Sequence, residues 1–241
     1  MNTQRSIQDD PRAYAKAVMR AAELGDLDAQ TTLGQLLLYG RGIARDQALA
    51  LIWFRIAARQ RHAMACNMVG RCLENGWGCE TDLADAARHY RQAADLGLDW
   101  GLYNYGQLLT RGRGVAPDMT AAYALFQQAA AMGHAKSMNL LGRFYHEGVV
   151  VERDETQAQR WYLLAAQGGD FRGQYNHAAA LAEQGRYEEA CLWLERALET
   201  ATPGFLQTAG PVLLASVNER IREMGERYQR VVSELAAPAN A

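Results

Sequence analysis

The chain has 241 residues, a formal net charge of −2 and 49% hydrophobic residues, a globular balance without the basic excess that general nucleic-acid binding needs. No apolar run approaches membrane-spanning length, and residues 1–10 carry no apolar core of a secretory signal. Cys66, Cys72, Cys79 and Cys191 are too few and too unevenly placed for a disulfide framework, so a soluble, cytoplasmic protein in a reducing compartment is expected.

The first predicted element is a lone helix, with Asp10 as N-cap and Pro11 at the first helical position, running to Leu24. Residues 10–27 thus read as an N-terminal half-unit. From residue 28 a step of 36 residues governs the sequence. Glycines keep it at Gly34, Gly70, Gly106 and Gly142, and aspartates at Asp46, Asp82, Asp118 and Asp154. Alanines keep it at Ala50, Ala86, Ala122 and Ala158, and again at Ala57, Ala93, Ala129 and Ala165. A period of this size marks stacked supersecondary units, none able to bury its apolar face alone.

The clearest copy is 136–171. Met138, Leu141, Phe144 and Tyr145 form one apolar face of a first helix, which Gly148 ends. Asp154 is placed to cap a second helix carrying Ala158, Trp161, Tyr162, Ala165 and Ala166, and Gly168-Gly169 closes it. Each copy is therefore a helix–loop–helix, and four of them fill 28–171. A glycine inside the first helix costs about 1 kcal/mol against alanine, so close approach of a partner helix is expected there. Large residues are offered opposite: Trp53 and Phe54, Tyr90, Phe126, Trp161 and Tyr162.

A fifth unit, 172–204, shortens its inner loop. Ala178 falls 36 after Gly142, but Ala190, Trp193 and Ala197 fall only 32 after Ala158, Trp161 and Ala165. In 205–241, Leu214, Val217, Ile221, Met224, Tyr228, Val231 and Leu235 alternate in steps of three and four, an a/d seam. Such a helix either caps the last apolar face of the stack or makes a homodimer.

The pattern resembles the Sel-one-like repeat (SLR) family, α/α-repeat relatives of the tetratricopeptide repeat. One copy reads Tyr105-Gly106, Gly112-Arg113-Gly114-Val115, Asp118, Ala122, Leu125-Phe126, Ala129-Ala130, Gly133; the next reads Leu141-Gly142-Arg143-Phe144-Tyr145, Gly148, Asp154, Ala158, Trp161-Tyr162, Ala165-Ala166, Gly169. Departures are local, such as Val150 in place of the second loop glycine. The fifth unit, with Gly185-Arg186-Tyr187, is more similar to an ordinary tetratricopeptide repeat. The resemblance implies an all-α, right-handed α/α superhelical solenoid of helix–turn–helix repeats. It also implies a non-enzymatic scaffold or adaptor, of the kind found in bacterial signalling, secretion, envelope and toxin-related systems.

By that resemblance the first helices line a concave groove, whose candidate partner-binding residues are Asn67, Arg71, Trp100, Tyr103, Gln107, Lys136, Asn139, Arg143 and Tyr175. Amides can hold an extended peptide, aromatics supply contact area and arginines favour carboxylates. The expected partner is a protein or peptide; the alternative is an inhibitor or immunity-type protein that blocks a partner enzyme. No cofactor is implied. The spacings of Cys66, Cys72 and Cys79, with His62 and His89, match no zinc motif. Tyr145-His146-Glu147 lacks the second histidine of a zinc-peptidase helix, and no nucleophile elbow is present.

Overall fold

The aspartates of the 36-residue step each start a helix. Asp46, Asp118 and Asp154 accept backbone N–H groups of Leu49, Ala121 and Gln157 at 2.9, 2.9 and 3.0 Å, and Asp82 that of Asp85 at 2.9 Å. Asp10 does the same for Arg12 ahead of Pro11. At the other end of the first helices, Gly40, Gly76, Gly112 and Gly148 take the left-handed conformation that closes a helix. The result, in a computed structural model that describes residues 10–236, is an all-α helical repeat solenoid.

The described residues form thirteen helices in two compact units, divided between Ala129 and Ala130. The first unit holds α1 (Pro11–Glu23), α2 (Leu27–Tyr39), α3 (Gln47–Arg59), α4 (Ala63–Asn75), α5 (Leu83–Asp95) and α6 (Asp99–Arg111); the division falls within α7 (Met119–Ala131). The second holds α8 (Ala135–Glu147), α9 (Glu155–Gln167), α10 (Phe171–Glu183), α11 (Tyr187–Thr200), α12 (Pro203–Leu214) and α13 (Glu219–Ala236). Consecutive helices pack together from α1 to α6 and from α8 to α11, α13 packs on both α12 and α11, and first helices of successive repeats touch (α4 with α6, α8 with α10).

The helical glycines sit against rings. A Cβ on Gly34 would lie 2.7 Å from Phe54 Cδ1, one on Gly70 2.7 Å from Tyr90 Cδ1, one on Gly106 2.7 Å from Phe126 Cε1, and one on Gly142 2.5 Å from Tyr162 Cδ1. All four rings are buried. Of the paired large residues, Phe54 and Tyr162 meet the glycines, while Trp53 and Trp161 are only half-buried.

A second register ties repeat to repeat. Gln30 and Gln174 donate their amides to the Ala22 and Ala166 carbonyls at the end of the preceding second helix, and Cys66 lies 3.8 Å from the Ala58 carbonyl. Each of these last-turn carbonyls also accepts a backbone N–H of the capping turn, from Gly25, Gly169 and Arg61 respectively, so the side chains add a second donor. The loops add a third tie. A Cβ on Gly78 would stand 2.6 Å from Ala48 N, and one on Gly114 2.8 Å from Ala84 N, so each loop lies on the first turn of the preceding second helix; Gly42 lies likewise on Pro11 and Arg12. At these three positions a side chain would collide with helix backbone, whereas the fourth loop carries Val150 at the corresponding place, also at positive φ.

At the C-terminal end the a/d seam is not one helix. Leu214 ends α12, a turn follows, and Asn218 caps α13 by accepting from Ile221 N at 3.3 Å. Ile221, Met224 and Tyr228 are buried against α11 and α12, with Tyr228 donating to the Leu194 carbonyl at 2.8 Å. Val217, in the turn, is 93% exposed. The middle of the seam is thus covered by its own chain. Gly225 allows the α12–α13 crossing, since a Cβ there would fall 2.8 Å from Leu214 N.

Candidate functional site

The nine residues expected to face a ligand all lie on first helices: α4 and α6 in the first unit, α8 and α10 in the second. The fold separates them into two groups. Asn67 and Asn139 are each 3% exposed, and their amides are occupied inside the stack. Asn67 accepts from Asn104 Nδ2 at 2.8 Å, and Asn139 from Asn176 Nδ2 at 2.8 Å, so each joins one first helix to the next. A polar side chain that faces the neighbouring repeat looks, in sequence, like one that faces a ligand.

The remaining residues reach the surface. Trp100 is 38% exposed and meets Tyr103 edge-to-face at 6.1 Å; Tyr103 in turn lies 6.2 Å from the Phe126 ring. Arg71 is half-buried, its guanidinium 5.2 Å from the Trp77 ring centroid, a cation–π contact. Gln107 is half-buried on the same helix as Trp100 and Tyr103. In the second unit Lys136 is half-buried, and Arg143 is exposed and grips Glu147 with two N–H groups at 2.9 and 3.2 Å. Tyr175 packs edge-to-face on Phe205 at 5.3 Å, and burial raises its hydroxyl pKa.

Several partners of this surface escaped the sequence reading. Asn104 and Asn176 stand 37 residues after Asn67 and Asn139, one position off the repeat step, which is the signal that would have revealed them. Glu74 accepts from the Tyr90 hydroxyl at 2.8 Å and from Arg113 of the next repeat's loop at 3.2 Å, linking two repeats. His62 and His134 occupy the N-cap position filled elsewhere by Asp26 and Asp170. Because Nδ1 of His62 accepts the Ala65 N–H at 3.2 Å, its proton sits on Nε2, which donates to Asp28 at 2.9 Å.

The thiols offer little nucleophilic chemistry. Burial pushes Cys72 up to about 12 and raises Cys66, Cys79 and Cys191, so each stays a thiol at neutral pH. Among the described residues no group of three or more His, Cys, Asp or Glu could hold a metal ion. No helix among them is long and apolar enough to cross a membrane.

Comparison with known proteins agrees with this repeat architecture. The Sel1 repeat family model matches residues 27–62, 63–98, 101–134 and 135–170. Among solved structures, a Sel1 repeat protein from Oxalobacter formigenes superposes with a TM-score of 0.81 at 22% identity, covering 96% of this chain and 98% of that one. Immunity protein Pa5087 from Pseudomonas aeruginosa superposes with a TM-score of 0.59 at 16% identity, covering 89% of this chain and 83% of that one. Both likenesses are of fold. A curated mouse protein, DAP3-binding cell death enhancer 1, is 30% identical over 93 residues, which is 38% of this chain and only 18% of the mouse protein.

Proposed function

The chain belongs to the Sel1 repeat family, and from that premise we propose that it is an adaptor holding a peptide or partner domain on the exposed face of its first helices. Sel1 repeats are generally protein–protein interaction modules and generally non-enzymatic. The observation that carries the reading is Trp100, a large aromatic 38% exposed beside Tyr103. Arg71, Tyr103 and Gln107 extend this contact surface in the first unit, and Lys136, Arg143 and Tyr175 form its counterpart in the second. In this reading Asn67 and Asn139 position the helices rather than touch the partner. Four free cysteines fit a cytoplasmic setting.

The test is affinity capture from the native lysate with wild type and with Trp100→Ala/Gln107→Ala. A protein captured by wild type and lost by the variant, at unchanged thermal stability of the variant, supports the adaptor; equal capture overturns it. A second reading, a protein that blocks a partner enzyme, draws on the fold shared with immunity protein Pa5087. It requires the captured partner to be an enzyme whose activity falls stoichiometrically on titration.

A further inference from the structure

Tyr90 and Tyr162 hold the same place two repeats apart, each with its ring against a helical glycine, Gly70 and Gly142. In the first unit the Tyr90 hydroxyl donates to Glu74 at 2.8 Å, and Arg113 meets the same carboxylate at 3.2 Å, so the group is satisfied within the stack. Two repeats on, the position of Glu74 holds His146, which bonds Glu155 instead, at 3.0 Å. Tyr162 is 7% exposed, and its hydroxyl has no hydrogen-bond partner among the described residues. Burial pushes that hydroxyl up to about 12, so it remains neutral at physiological pH.

Tyr162 lines a pocket of about 250 Å³ between α8, α9 and α10, wholly within the second unit. Arg143 also borders it but is gripped by Glu147, and Glu155 is matched by His146 and Arg153. Glu183 is the lining carboxylate without an ion pair among the described residues. The neutral groups add lone pairs. Asn176 directs its amide N–H at Asn139, 2.8 Å away, which leaves its carbonyl oxygen open. The hydrogen bonds from His146 and Arg153 hold the Glu155 carboxyl below its usual range, so it is the acceptor and His146 carries its ring proton on Nδ1. Nε2 of the neutral ring is then a bare acceptor. Tyr162, His146, Asn176 and Glu183 thus bring acceptors from three helices, with one unbalanced negative charge.

We propose that this pocket receives the side-chain ammonium of a lysine presented by a partner protein. The inference rests on the adaptor reading only in that the lysine belongs to another protein. An ammonium has three donors and no acceptor, which complements lone pairs arriving from several directions, and its charge balances Glu183. Its hydrogens rotate to meet them, whereas a guanidinium is a planar fork suited to a single carboxylate. Ala179 and Ala180 supply an apolar wall for the alkyl stem. In the first unit Glu74 already takes the Tyr90 hydroxyl, so no equivalent binding is expected there.

The probe is the blocked tripeptide acetyl-Gly-Lys-Gly-amide, titrated at fixed ionic strength into the isotope-labelled full-length protein while backbone amide shifts are followed. Saturable shifts are expected at Gln159, Tyr162, Ala179 and Glu183, and none around Tyr90. The same peptide with norleucine in place of lysine should not bind, and the arginine peptide should bind at least about threefold more weakly. Tyr162→Phe keeps the ring against Gly142 and should weaken the lysine peptide about three- to tenfold, and Glu183→Gln about two- to fivefold. A general attraction to surface glutamates would not depend on the Tyr162 hydroxyl. The proposal is overturned by absence of saturable shifts at tens of millimolar peptide, by norleucine or arginine peptides that bind as well as lysine, or by equal binding to either variant at wild-type thermal stability. None of these results bears on partner capture through Trp100 and Gln107, which lie in the other unit, so the two readings fail separately.

Discussion

Alanine in place of Gly34 sets two opposed effects against each other, and the structure decides between them. Alanine favours the helix over glycine by about 1 kcal/mol. Against that, its Cβ would stand 2.7 and 2.8 Å from Phe54 Cδ1 and Cζ, where ordinary contact needs 3.4 Å or more. Phe54 is fully buried within the main core of the first unit, so the ring cannot swing into solvent. Overpacking of this kind costs about 1–3 kcal/mol, and the net expectation for Gly34→Ala is destabilisation by about 1 kcal/mol. The double-mutant cycle isolates the cause. In a Phe54→Leu background the obstructing ring is gone, and Gly34→Ala should then stabilise by about its helix propensity, giving a coupling of roughly 2 kcal/mol. Urea denaturation followed by circular dichroism at 222 nm measures all four proteins. If Gly34→Ala stabilises the wild-type background as much as the Phe54→Leu background, the glycine is not there for the ring, and the account of the 36-residue step fails.

Other positions give further tests. Tyr228→Phe removes the buried hydroxyl that donates to the Leu194 carbonyl, and should lower stability by about 1 kcal/mol with an unchanged denaturant slope. Val150 holds φ +68, a left-handed conformation hostile to a β-branched residue, and it is exposed, so Val150→Gly should raise stability by about 0.5–1 kcal/mol in the same assay. Asp170 is an acid whose pKa burial raises, so its folded value exceeds its unfolded one. Its contribution is then full below the unfolded value, about 3.9, and declines as pH rises through the folded value. Asp170→Asn keeps an acceptor for the Gly173 N–H and removes the titration, so it should gain on wild type as pH rises through that window; parallel urea midpoints at every pH would refute this.

The fold was legible because the repeat writes each packing requirement several times. One glycine in a helix is ambiguous, but Gly34, Gly70, Gly106 and Gly142 each face a ring, and Asp46, Asp82, Asp118 and Asp154 each cap a helix. The surface was less legible. Register placed Asn67, Asn139 and Trp100 on the first helices alike, yet residue type does not say whether a side chain meets a neighbouring repeat or solvent. That depends on Asn104 and Asn176, one position off the step, and could be read only from their distances. The C-terminal seam misled for a related reason: heptad spacing survives across a turn, so Leu214 and Ile221 keep their phase although they lie on different helices.

In such a chain the departures from the repeat carry more information than the repeat itself. Where the pattern is kept, a side chain already has a partner within the stack, as Gln30 has the Ala22 carbonyl and Arg113 has Glu74. Where it is broken, a partner is missing or a position is strained. Leu98 stands where a capping side chain is otherwise found and makes no side-chain cap bond. Val150 replaces a loop glycine and is held in a glycine conformation. The shortened loop at 184–186 leaves the first turn of α9 without the cover its counterparts have, beside a carboxylate, Glu183, that pairs with no cation among the described residues.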